Sequence, residues 1–131
     1  APIITEKNEK LFEKIDPDHS GINFQMKLGD FFSRTKEYMF ATPMGGVATG
    51  DYDGDSLPDI YLTSPSQGNR LYKNKGNFKF VDVTEEAGLD DPDFWGTGAG
   101  FVDIDGVSLH YVFRVSPISL RSRWSIWRAT T

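Results

Sequence analysis

From residue 45 onward, apolar and β-branched residues fall in short runs that alternate with polar positions and end on turn residues, with no helical stripe. Residues 45–52, GGVATGDY, read as a small-residue strand, and residues 59–63, DIYLT, as the strand leaving the loop that follows it. Residues 64–68, SPSQG, form a turn cluster, and residues 69–74, NRLYKN, read as a third strand. Lys75, Gly76 and Asn77 supply a tight hairpin turn into a fourth strand at 78–84, FKFVDVT, closed by a helical or bent turn at 85–89. The first half is less regular. Residues 1–10 are a polar lead-in, and residues 11–15 predict a short strand broken at Asp16–Pro17, with another extended piece at 21–24. Residues 25–42 carry Phe31, Phe32, Tyr38 and Phe40 without a clean period, as an irregular segment or hairpin would, and core packing is the simplest use of these rings.

Two internal echoes organise this pattern. Residues 98–106, GAGFVDIDG, repeat residues 46–54, GVATGDYDG, at an offset of 52. Residues 80–89 match residues 12–22 with one residue inserted, so that Phe12, Ile15, Gly21 and Ile22 fall on Phe80, Val83, Gly88 and Leu89. Repeats built of four short strands mark a β-propeller blade. The fold class expected is therefore all-β: a partial β-propeller of about two blades of four-stranded antiparallel sheet, each with an Asp-rich loop.

The first loop, GDYDGDSLPD at residues 50–59, gathers Asp51, Asp53, Asp55 and Asp59. Carboxylates this close repel one another unless a cation neutralises them, and Ca2+ takes six to eight oxygen ligands. Asp51, Asp53 and Asp55 would each offer a side-chain oxygen, Leu57 its backbone carbonyl, and Asp59 would close the shell, while Gly54 permits the bend. An EF-hand is excluded: counted from Asp51, the twelfth position that should hold Glu is Leu62. The competing account is a solvated acidic turn without an ion.

Composition narrows the function classes. The chain's 131 residues suffice for one modest core, and 13 Gly with 14% aromatics favour β-structure over a helical bundle. A net charge of -5 argues against a nucleic-acid partner, and no apolar run reaches membrane-spanning length. With no Cys there is no disulfide or thiol chemistry. The chain opens on Ala1 without Met, as a processed or excised chain would.

GGVATGDYDGDSLPDIYLT followed by GNRLYKNKGNFKFVDVTEEAGL resembles the FG-GAP/VCBS repeat. More narrowly it is similar to the bacterial proteins related to cartilage acidic protein that carry an ASPIC/UnbV domain. The resemblance covers about residues 11–106 and none of it looks like the ASPIC/UnbV domain itself. It implies an integrin-α-like propeller of several blades and structural Ca2+ held by Asp51, Asp53, Asp55, Leu57 and Asp59. It also implies an extracellular or periplasmic location and a role in protein or glycan recognition or adhesion rather than catalysis. A fragment of a propeller would leave edges open to self-association.

The second loop departs from this pattern. Asp103 and Asp105 hold its first and third positions, but Val107 and Tyr111 stand where further acids belong, so the site is weak or degenerate. Residues 107–131 contain no Asp, Glu or Lys but four Arg, five Ser and two Trp. They read as a divergent strand pair turning about Ser116–Pro117, or as a shifted reading frame or fusion scar. Two enzyme readings compete. FVDIDGVSL resembles the nucleophile motif of haloacid-dehalogenase-type phosphatases, with Asp103 and Asp105 as nucleophile and acid/base, but only 26 residues follow Asp105. The chain could otherwise be an accessory segment of a hydrolase or lyase. His19 and His110 suit surface or structural roles, and Trp95 packing between blades.

Overall fold

In a computed structural model the chain forms two antiparallel sheets. The structure describes residues 12–25, 45–64, 68–90, 96, 98–103, 110–115 and 125–128. The lead-in at 1–10, most of the aromatic stretch at 26–42, Trp95 and Asp105 lie outside the described residues. β1 (Val47–Gly50), β2 (Asp59–Leu62), β3 (Arg70–Asn74) and β4 (Phe80–Asp82) make a four-stranded meander in the order β1-β2-β3-β4. β5 (Gly98–Asp103), β6 (His110–Val115) and β7 (Ser125–Arg128) make a second sheet, with three strands among the described residues where four were expected. The all-β class expected from the pattern is the one observed. β6 and β7 lie in the compositionally distinct tail, and β6 pairs with β5 from Gly98↔Val115 to Asp103↔His110.

The two sheets meet through β1 and β5. Ala48, Tyr61, Leu71, Val83 and Leu89 form the buried core, and Ala99 and Phe101 of β5 pack against it. A side chain on Gly50 would meet Cγ of Phe101 at 2.6 Å, so the ring occupies the space the glycine leaves. That contact ties the repeated first strands of the two units together.

The turn at Asp82–Thr84 is held by one main-chain bond and by the side chains of Asp82 and Thr84. Val83 donates its N–H to the Leu71 carbonyl at 2.9 Å, and Leu71 donates to the Thr84 hydroxyl at 2.9 Å. The same hydroxyl and the Thr84 N–H both donate to Asp82 Oδ1, at 2.5 and 3.0 Å. Val83 and Leu89 are thereby delivered to the core from either end of one turn. Gly88 takes a left-handed φ of 68° there, and its counterpart in the earlier echo, Gly21, takes 73°. Any side chain at Gly21 would also strike the Phe80 carbonyl at 2.5 Å.

Two expected strands differ. Instead of a strand at 11–15, residues 12–16 are irregular and lead into a single helical turn, α1 (Pro17–Ser20). Asp16 caps it by accepting from Asp18 N at 2.9 Å, and proline suits the first helical position. Phe12 is 90% exposed, and among the described residues no strand pairs with this segment. The fourth strand is shorter than 78–84, because Asn77 and Phe78 adopt φ of 52° and 56° and belong to the turn.

Gly50→Ala should lower stability by about 1–3 kcal/mol through overpacking against Phe101, measured by urea unfolding. Gly98→Ala, with no atom of the described residues within 4 Å of the added carbon, should be near neutral. Equal losses in the two variants would mean that Phe101 does not fill the Gly50 notch.

Candidate metal centre

The acidic loop joins β1 to β2 and folds around its own carboxylates. Asp51 Oδ1 accepts from Gly54 N at 2.7 Å and Asp55 N at 3.1 Å, and Asp51 Oδ2 from Ser56 N at 2.7 Å. Gly54 and Ser56 take left-handed φ of 81° and 67°. The glycine does so without strain, whereas Ser56 incurs a cost of about 1–2 kcal/mol that the Asp51 bond helps offset. Asp55 Oδ1 accepts from Leu57 N at 2.9 Å, turning the chain back toward β2.

Asp59, the first residue of β2, is fully buried. Its Oδ2 accepts from Tyr52 N at 3.0 Å and its Oδ1 from Asn74 N at 2.7 Å. One carboxylate therefore fastens the entry of the loop to the end of β3. Asn74 completes the joint: its Nδ2 donates to the Pro58 carbonyl at 2.9 Å, and its Oδ1 accepts from Gly76 N at 2.8 Å. The Asn-x-Gly of the hairpin turn is thus also the outer wall of the acidic loop.

Carboxylate oxygens of Asp51, Asp53 and Asp59 come within 4.8 Å of one another. Of the loop ligands expected from sequence, these three converge. Asp55 is more exposed and Leu57 half-buried; the contacts of both run to the loop backbone or, for Asp55, to Lys73. Lys73 of β3 ion-pairs with Asp53 Oδ2 and lies 3.2 Å from Asp55 Oδ2. In the second loop, Asp103 is exposed at the end of β5, opposite His110, and its proposed partner Asp105 falls outside the described residues.

The electrostatics favour a cation. Burial pushes the Asp59 carboxyl above its ordinary range; the Asn74 and Tyr52 N–H groups oppose this, and the charges of Asp55 and Asp51 reinforce it. Burial, then the charges of Asp59, Glu86 and Asp55, push the Tyr52 phenol up as well. Among the described residues Asp53 Oδ1 is buried with no hydrogen-bond partner. Asp59 keeps one lone pair on each oxygen after its backbone bonds, and Asp51 keeps one on Oδ2. A cluster of hard oxygens with spare lone pairs fits a hard divalent ion such as Ca2+.

Lys73, Asn74 and the Tyr52 amide were not foreseen as parts of this site. Their placement depends on the β2–β3 register, Ile60↔Tyr72, which sets Lys73 beside the loop.

This arrangement, a four-stranded antiparallel meander with an acidic loop between its first two strands, defines a propeller-type repeat unit. Residues 51–106 match the model of the FG-GAP-like repeat. Over 60 residues it is 37% identical to cartilage acidic protein 1 of Mus musculus and 35% identical to that of Homo sapiens. The Xenopus tropicalis protein of the same name is 32% identical over the same length. Each match covers 46% of this chain and 9% of the relative, so the chain spans a small part of these proteins.

Asp59→Ala, measured in chelator, should lower stability by about 2 kcal/mol or more, because two partly buried amides lose their acceptor. Asp55→Ala, at the exposed rim, should cost less than about 1 kcal/mol. Chemical denaturation of both variants checks the order, and a reversal would displace Asp59 from the centre of the loop.

Proposed function

We propose that the chain is a calcium-stabilised propeller segment of an extracellular protein, serving as a rigid scaffold for protein or glycan recognition and not as a catalyst. The observation that carries the calcium reading is the buried, unpartnered Asp53 Oδ1 beside Asp51 and Asp59. Asp51, Asp53 and Asp59 would hold the ion, with Asp55 and the Leu57 carbonyl as further ligands. The ion supplies positive charge among carboxylates that otherwise repel, so binding free energy becomes folding free energy. The protein's own residues do the rest: Asp51 shapes the loop, and Asp59 and Asn74 fasten it to β2 and β3.

The extracellular assignment rests on the FG-GAP-like repeat and on relatives named for cartilage. Among the described residues no helix is long and apolar enough to cross a membrane. The recognition reading is supported by the architecture, because loops on a rigid sheet scaffold can vary without disturbing the core. The second loop, with Asp103 exposed, is the weaker candidate for metal, and open sheet edges allow self-association.

Calorimetric titration of the full chain with calcium chloride should give one site, and Asp53→Ala should abolish it. At a hundredfold excess over Kd, calcium should add about 2.7 kcal/mol, raising Tm by roughly 10 °C over the value in EDTA. Absence of binding heat together with a melt indifferent to EDTA would leave a solvated acidic turn.

A further inference from the structure

Lys73 is placed to do more than decorate the sheet surface. Its side chain is only 20% exposed, and it runs from β3 to the mouth of the acidic loop. There its ammonium contacts Asp53 and Asp55, whose side chains are 19% and 32% exposed. A lysine ammonium is a compact point charge with three donors on a flexible stem, so it can bridge two carboxylates and also let go of them. Asp53 is the shared element: Oδ2 is engaged by Lys73, while Oδ1 is the buried oxygen without a partner beside Asp51 and Asp59.

A cation on Oδ1 of Asp53 would share the charge of one carboxylate with the ammonium on Oδ2. A divalent ion drawing on Asp53 would sit within a few ångströms of the ammonium, where like charges repel strongly in a partly buried site. We infer that Lys73 is a resident counter-ion that offsets part of the loop's negative charge when no metal is bound and is released when calcium enters. The loop is then an ion exchanger: the lysine keeps the metal-free blade folded and sets how much calcium is needed to displace it. The inference rests on the calcium reading above. A lysine that merely oriented Asp53 for the metal would have the opposite effect, since removing it would weaken binding.

The test uses the full chain, calcium chloride and the variant Lys73→Met, which keeps the stem and removes the charge. Calcium should bind the variant about tenfold more tightly than the wild type. In EDTA the variant should melt lower than the wild type, whereas at saturating calcium the two should melt together. Calcium binding to the wild type with an unchanged or weaker affinity in Lys73→Met would overturn the exchange while leaving the calcium site standing. No calcium binding by either protein would overturn both. Should Lys73→Met not fold without metal, the wild type itself decides. On saturation with calcium the Lys73 Cε–Hε NMR signals should move to the position of a freely solvated lysine, and signals that stay in place would refute release.

Discussion

The structure depends on one buried carboxylate. Asp59 stands at the junction of the acidic loop and β2, and its two oxygens accept the N–H groups of Tyr52 and Asn74. Without it the loop would leave β1 with no fixed angle, and the end of β3 would lose the only partner shown for the Asn74 amide among the described residues. Burying an acid is costly, as the upward displacement of its pKa records. The two backbone bonds offset part of that cost, and a cation in the loop would offset more. The need for positive charge in this loop is therefore a consequence of how the sheet is joined, not an addition to it.

From this joint the other motif residues take their roles. Asn74 and Gly76 turn β3 into β4 and brace Pro58. Asp82 and Thr84 then carry the chain from β4 toward the turn that returns Val83 and Leu89 to the core. β5 begins the next unit and seats Phe101 in the notch at Gly50. A buried Asn69 spans the other end of the sheet, accepting from Ser64 N at 3.1 Å, with Gly96 close enough that a side chain there would collide with it. The unit is thus bounded by polar residues at both ends and joined to the next through its first strand, which suits an array of blades.

Most of the four-stranded unit was legible because its signals are local. The period-two runs around Tyr61 and Leu71, the Lys75-Gly76-Asn77 turn and the Asp-x-Asp-x-Asp loop each declare themselves within a few residues. What was not legible depends on contacts distant in sequence. Lys73 meets Asp53 only because β2 and β3 pair in the Ile60↔Tyr72 register, and a slip of one residue would turn the lysine to the other face. The strand expected at 11–15 failed for a related reason: Phe12 and Ile15 suggest an extended run, but among the described residues no strand pairs with it, and Asp16–Pro17 starts a helical turn. Phe78 looked like the first apolar residue of β4, yet the left-handed turn continues through it. The four acids were legible as candidate ligands, but not that Asp59 also fastens the backbone while Asp55 faces Lys73.

The central claim, that the loop is fastened inward by Asp59, is tested most directly by amide hydrogen exchange resolved by residue. The Tyr52 and Asn74 amides should exchange as slowly as those of the core residues Tyr61 and Leu71, opening only with global unfolding. Exchange of Tyr52 and Asn74 at the rate of an exposed loop, while Tyr61 and Leu71 stay protected, would contradict it.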